Sequence, residues 1–464
     1  MNLDINNKRN SGFSLFESLI KEKKRLVEEK LILNKKDKHK YPIKDTPFEI
    51  PANWCWCYLS DISIIQEGPG IRKYQYKDEG IQFLTVTNIL EDDIDLEKSE
   101  KYISLDEYNE KYSHFTINKG DIVTACSGGS WGKSAVFTSD EKLILNTSTL
   151  RLRFFNDLGD NKYLYYLTKT DHFKNSLSSY STGQQPNYGY YHYSRIPIPL
   201  PPLPEQQRIV SILDHCFEAI DKAKANAEQN LRNAKELFES YLQGIFEKKG
   251  DEWEEKKLGK ICDFVRGPFG GSLKKSIFKP EGYAVYEQRH AIYNQFDNVR
   301  YFVDDEKFNE MKRFELKPGN LIMSCSGTMG KIAIAPEGIK KGIINQALLK
   351  LAPSAKITPY YLKYWMESES FQDSLKEYSG GAAIQNVASV KILKQIVINV
   401  PSLSIQDEVV KKLDDMYEET QRLEIHYQKR IDDLEELKKS ILQKAFAGEL
   451  KTEKMVEEME EVEL

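Results

Sequence analysis

Most of the chain carries its apolar residues in short alternating runs, but two stretches hold one helical spacing for about forty residues. Prolines at 197, 199, 201, 202 and 204 exclude helix and central strand, and Glu205 then opens a stretch with no Pro and one Gly. In it Leu213, Phe217, Ile220, Ala227, Leu231, Ala234, Phe238, Tyr241 and Ile245 follow an alternating four- and three-residue spacing that Lys224 alone interrupts. Two hundred residues later Leu413, Tyr417, Tyr427, Ile431, Leu434, Ile441 and Ala445 repeat it, with polar Thr420, Glu424 and Lys438 between them. Such seams require a partner helix, and each predicted helix, roughly 60 Å long at about 1.5 Å per residue, is matched by the other. The pattern predicts an antiparallel coiled coil holding two globular units apart.

The repeat extends beyond the seams. IPLPPLPEQQRIVSILD (from Ile198) returns as INVPSLSIQDEVVKKLD (from Ile398), with Leu203, Gln206, Val210 and Leu213 matched by Leu403, Gln406, Val410 and Leu413. Ahead of each lies a β-rich pattern. FTINKGDIVTACSGGSWGKSAV (Phe115 to Val136) and FELKPGNLIMSCSGTMGKIAI (Phe314 to Ile334) read as strand, Gly turn, strand. A phosphate-binding loop is excluded, because GGSWGKS is one residue short of the required spacing and Lys331 is followed by Ile332. Strand-like runs at 143–155 and 342–353 follow, then helical NKYLYYLTKTDHFKNSL and TPYYLKYWMESESFQDSL, then the polar loops STGQQPN (181–187) and SGGAAIQN (379–386). Near the N-terminus, 14–33 reads as an amphipathic helix with Leu15, Leu19, Leu26 and Ile32 on one stripe, and 34–40 as a basic linker.

With 464 residues, 40% hydrophobic and 30% charged, the chain has room for two domains besides the helices. No run has eighteen apolar residues and the N-terminus lacks the apolar core of a signal peptide, so a cytoplasmic location and no membrane association are expected. The six cysteines fall at no metal-ligand spacing and read as structural thiols. Net charge is −5, and the acidic tail from Thr452 to Leu464, with six Glu against one Lys, accounts for all of it. A near-neutral body leaves nucleic-acid binding open, since only a local basic face is needed.

Candidate recognition residues lie on the loops. Arg72 and Lys73 follow one Gly/Pro turn and Lys274 and Lys275 its counterpart; such cations most simply meet phosphates, which position a protein without carrying sequence information directly. Lys133 and Lys331 either face solvent or reach a phosphate. Gln184, Gln185, Asn187, Gln385 and Asn386 have the donor and acceptor pair that reads an adenine edge, or else brace their loops through backbone hydrogen bonds. On the helices, Phe238, Tyr241, Ile245 and Ile441 are candidates for contact with further subunits. Neither a [DNS]PP[YF] tetrapeptide nor a Gly-rich loop for S-adenosylmethionine is present, and the seven histidines have no metal-ligand spacing. The chain reads as noncatalytic, and no cofactor or metal is expected.

Two divergent β-rich units, each with the Gly-turn hairpin and the late polar loop and each leading through PLPPLPEQQRIV or VPSLSIQDEVV into a long helix, resemble the specificity subunit of type I restriction-modification systems (HsdS). The resemblance covers about 48–450 and departs from the motif at Ser402, Ser404, Ile405 and Asp407. It implies an α+β fold: two target-recognition domains in tandem duplication, joined by two long helices forming an antiparallel coiled coil. The segments are then an N-terminal helix and basic linker (1–47), domain 1 (48–200), central helix (201–250), domain 2 (251–400), C-terminal helix (401–450) and acidic tail (451–464). The family implies double-stranded DNA read as a split, asymmetric site, methyltransferase subunits docked on the coil, and restriction subunits recruited through them. Rival readings are a methyltransferase or nuclease in its own right, a helical scaffold without DNA affinity, or the recognition half of another DNA methyltransferase system.

Overall fold

The computed structural model describes residues 11–450 apart from 34, 36–38, 45, 181–185, 249, 251–252, 270 and 379–389. The chain forms two compact units, Met1–Asn226 with Ile431–Leu464, and Ala227–Arg430.

In unit 1 the strands are β1 (Cys55–Tyr58), β2 (Ser63–Glu67), β3 (Ile81–Leu84), β4 (Tyr102–Ile103), β5 (Ile122–Ala125), β6 (Ser134–Val136), β7 (Leu143–Leu145), β8 (Thr149–Phe154) and β9 (Pro197–Leu200). They make a sheet of order β2-β8-β5-β6, a second of order β4-β3-β7, and a ribbon β1-β9. Unit 2 repeats the scheme with β10 (Glu254–Lys257), β11 (Cys262–Arg266), β12 (Tyr283–Tyr286), β13 (Phe302–Val303), β14 (Glu315–Leu316), β15 (Leu321–Ser324), β16 (Ile332–Ile334), β17 (Gly342–Ile344), β18 (Leu348–Pro353) and β19 (Val397–Val400). Its sheets run β11-β18-β15-β16 and β13-β12-β17-β14, and its ribbon is β10-β19.

Three local readings change. Pro197–Leu200, where the prolines exclude helix and central strand, is a strand of a two-stranded ribbon, which they permit because Pro197 and Pro199 stand two apart, so that both miss the partner's side. The central helix opens at Leu203 rather than Glu205 and runs to Glu247, with Pro204 in its first turn, where a missing amide hydrogen costs nothing. Each expected strand at 143–155 and 342–353 is two strands in different sheets, β7 and β17 pairing in parallel with β3 and β12 while β8 and β18 pair with β2 and β11. The N-terminal helix spans Gly12–Glu28, capped by the Ser11 side chain, and buries Leu19 and Leu26; Ile32 lies beyond it.

The helices Leu203–Glu247 and Leu403–Ala447 are 45 residues each. Within unit 1 their pairing is antiparallel: Lys224 reaches Glu435 at 2.5 Å and Lys438 reaches Asp221 at 2.8 Å. Both lysines that interrupt the seams therefore pair across to the other helix. Within unit 2 Phe238 stacks edge-on against Tyr417, with ring centres 5.3 Å apart. Thr420 is buried in the seam and its hydroxyl bonds back to the carbonyls of Met416 and Tyr417, as a helical threonine without an outside partner does.

Candidate nucleic-acid interface

The larger sheet of unit 1 gathers the candidate loops at one end. Its register sets Glu67 of β2, Thr149 and Leu150 of β8, Ala125 of β5 and Ser134 of β6 at the same edge; three loops leave from there, and residues 186–189 join them. They are knitted by backbone. Gly68 donates its amide to the Thr149 carbonyl at 2.9 Å, and the Thr147 hydroxyl donates to the Pro69 carbonyl at 2.9 Å while accepting from the Ile71 amide at 3.1 Å. The Cys126 amide donates to Ser148, the Tyr188 amide to the Cys126 carbonyl, and the Gly128 amide to Pro186. Ser127 pairs with Asn187 as an isolated bridge. Arg72, Lys73, Lys133 and Asn187 thus belong to loops of one end, with Arg72, Lys73 and Asn187 exposed and Lys133 half-buried. Gln184 and Gln185 lie outside the described residues.

Gln75 aims the first loop. Its side chain accepts from the Arg72 amide at 3.0 Å and donates to Glu107 and Tyr112, closing the tight turn Lys73–Gln75 and leaving Arg72, Lys73 and Tyr74 outermost. Gly68 is forced by space, since a Cβ there would stand 1.8 Å from the Asn146 carbonyl oxygen, while one on Gly70 would meet nothing within 4 Å. Gly68→Ala is expected to cost about 3 kcal/mol and Gly70→Ala to be near neutral, a contrast that thermal unfolding of the two variants checks.

Unit 2 builds the same end independently. Gly267 donates to the Leu348 carbonyl, a Cβ on it would stand 1.8 Å from the Asn345 oxygen, and the Cys325 amide donates to Ala347. Lys274 precedes the turn Lys275–Ile277 as Arg72 precedes Lys73–Gln75, and Lys274, Lys275 and Lys331 are exposed. Gln288 pins the Gly turn from outside: its amide nitrogen donates to the carbonyls of Ser326 and Thr328, and its oxygen accepts from the Ser326 hydroxyl. Gln385 and Asn386 lie outside the described residues.

Residue-by-residue reading missed two features of these ends. Tyr74 is 81% and Phe269 93% exposed, each on the loop that carries the paired cations. The turns Asn146–Ser148 and Asn345–Ala347 bring exposed Thr147 and Gln346 to the same edge; the signal was the Asn-led polar interruption inside each strand-like run. Cys126 and Cys325, beneath the Gly turns, have thiols pushed up by burial to about 12 and about 11, which keeps them protonated and unreactive. Among the described residues no group of three or more His, Cys, Asp or Glu could hold a metal ion, and no helix is long and apolar enough to cross a membrane.

The helix candidates separate. Tyr241 and Ile245 line an open groove of about 520 Å³ in unit 2 with Leu237, Trp253, Val409 and Lys412. Phe238, expected on the exposed side of the seam, is engaged inside the unit by Tyr417 and Tyr364. Ile441, the remaining candidate for subunit contact, is only 2% exposed in the core of unit 1, so its surface is already covered.

Residues 51–230 and 250–435 each match the type I restriction modification DNA specificity domain. The chain is 25% identical over 360 residues to the type I restriction enzyme MjaVIII specificity subunit of Methanocaldococcus jannaschii, covering 73% of this chain and 81% of that one. It is also 25% identical over 431 residues to the EcoKI specificity subunit of Escherichia coli K12, covering 87% and 90%. A chain solved in work on complex assembly and conformational transition of the type I R-M system superposes with a TM-score of 0.70 at 19% identity, over 87% of this chain and all of that one. With the specificity domain matched twice over most of its length, on two units that present equivalent loop ends, this chain belongs to the type I restriction-modification DNA specificity family, whose noncatalytic specificity subunits recognise DNA sequence.

Proposed function

We propose that the chain reads a two-part, asymmetric DNA site, one part through the loop end of each unit, and serves as the platform on which methyltransferase subunits, and through them restriction subunits, assemble. The observation that carries this reading is the pair of equivalent loop ends with unlike surfaces. Both set adjacent exposed cations at the start of the same tight turn, Arg72 and Lys73 or Lys274 and Lys275, but one adds Tyr74 and Thr147 and the other Phe269 and Gln346. Equivalent cations suit the uniform phosphate backbone. Unlike neighbours suit two different base sequences.

Mapping methylated sites in the host genome with and without the gene tests the recognition function directly. Neutralising Arg72 and Lys73 should then weaken binding evenly across sequences and reduce the salt slope by about one unit per lost phosphate contact. Ala at Gln184 and Gln185 should instead relax one half-site, at about 1 to 3 kcal/mol of discrimination per lost bidentate contact. Binding against salt on cognate and one-base-changed duplexes separates the two effects; a change of base preference from the cation variants, with a uniform loss from the glutamine variants, would reverse the assignment.

A further inference from the structure

The joint between sheet and helix is built alike in both units although the residues around it differ. In unit 1 Gln206 is fully buried; its Oε1 accepts from the Asp160 amide at 2.9 Å and its Nε2 donates to the Pro201 carbonyl at 2.9 Å. In unit 2 Gln406 is fully buried too; it accepts from the Thr358 amide at 2.8 Å and donates to the Lys356 and Pro401 carbonyls at 3.0 and 2.9 Å. Tyrosines complete each joint. Tyr163 and Tyr361 donate to the Pro199 and Asn399 carbonyls at 2.8 and 2.9 Å, on the strand that leads into the helix. Tyr166 and Tyr364 donate at 2.5 Å to Asp214 and Asp414, on the helix itself.

Simple adhesion does not require this chemistry. An apolar contact is non-directional and survives some rocking, whereas a buried amide is satisfied in only one geometry and is costly to leave unpaired. The joint therefore resists rotation of the sheets about the start of the helix. The residues adjoining the glutamines differ freely, Pro204 against Ser404, Glu205 against Ile405 and Gln207 against Asp407, yet each glutamine accepts from one distant amide and donates to the proline carbonyl five residues before it.

We propose that Gln206 and Gln406, with the Tyr166–Asp214 and Tyr364–Asp414 bonds, are positioning residues that hold each recognition unit at a fixed angle on its helix and so set how strictly the protein discriminates the spacer between half-sites. This rests on the two-part reading above. The test uses full-length protein with the subunits that co-purify with it, titrated with duplexes that share the mapped half-sites and differ in spacer by one base pair either way. Tyr166→Phe and Tyr364→Phe each remove one hydroxyl at a part-buried position and keep the fold, while Gln206→Met preserves volume without the amide. Loss of one directional bond should lower the preference for the mapped spacer at least about five-fold, while affinity for the mapped site changes less than about three-fold. Unchanged spacer preference with only a lower melting temperature would overturn the proposal and leave the joint a purely structural clasp. Wild-type protein that bound all spacers alike would instead overturn the two-part reading itself, so the two failures are distinguishable.

Discussion

Exchange of residues 251–400 for the corresponding segment of a relative is expected to change one half of the methylated site and leave the other half intact. The physical reason is how each segment closes. β10 pairs antiparallel with β19, Glu254 opposite Val400 and Lys257 opposite Val397, so the segment begins and ends at one place; β1 and β9 do the same in unit 1, Cys55 opposite Leu200. Both sheets and the loop end of each unit lie between those two strands. What the segment must offer the rest of the chain is the Thr358 amide and the Lys356 carbonyl that Gln406 meets, which any donor sequence supplies, a tyrosine where Tyr364 reaches Asp414, and an apolar face such as Tyr361, Leu362 and Trp365 to pack on Leu242, Phe246 and Leu413 of the helices. At about 1 to 3 kcal/mol per mismatched base pair, three changed bases should shift preference for the old half-site by roughly two to six orders of magnitude. Methylation mapping of the hybrid checks this, and a site altered in both halves would contradict modular reading.

The long helices were legible because their spacing persists far beyond what chance or a surface helix would hold, and a two-residue error at Leu203 came only from treating Pro204 as a barrier when the first helical turn accepts it. Lys224 and Lys438 looked like breaks in the seam; their partners Glu435 and Asp221 stand more than two hundred residues away, and nothing local marks such a pair. The sheet switch at Asn146–Ser148 was hidden for a different reason. Alternation identifies a strand and its faces but is silent on which sheet the strand joins, so β7 and β8 read as one.

At the loop ends, Arg72, Lys73, Lys274 and Lys275 could be found because the same turn chemistry precedes both pairs, and the structure sets each pair at the same edge of its sheet. Tyr74 and Phe269 could not, since an aromatic side chain is core by default and only its surroundings reveal exposure. Gln206 and Gln406 were visible as a repeated letter. Their role required the Asp160 and Thr358 amides, which approach from some fifty residues away.

Substituting Ser at both Tyr241 and Ile245 is expected to abolish co-purification of methyltransferase subunits while both recognition units stay folded. These side chains line an open groove with Leu237, Trp253 and Val409, and Leu237 is about half exposed, so apolar surface remains uncovered in unit 2 as the chain stands. A helix from a methyltransferase subunit, its apolar face against the groove and an acidic residue toward Lys412, suits that lining. Burying two large side chains at about 1.5 to 3 kcal/mol each makes the double substitution worth roughly 3 to 6 kcal/mol, enough to lower affinity by two orders of magnitude or more. Phe238→Ser serves as the contrast. Because Phe238 already packs on Tyr417 and Tyr364 within the unit, its loss should lower the melting temperature of unit 2 before it touches assembly. Pull-down of the subunits beside calorimetry of each variant reads both quantities; retained co-purification in the groove variant would remove the groove from the assembly interface, and a large stability loss there would show that Tyr241 and Ile245 serve the fold instead.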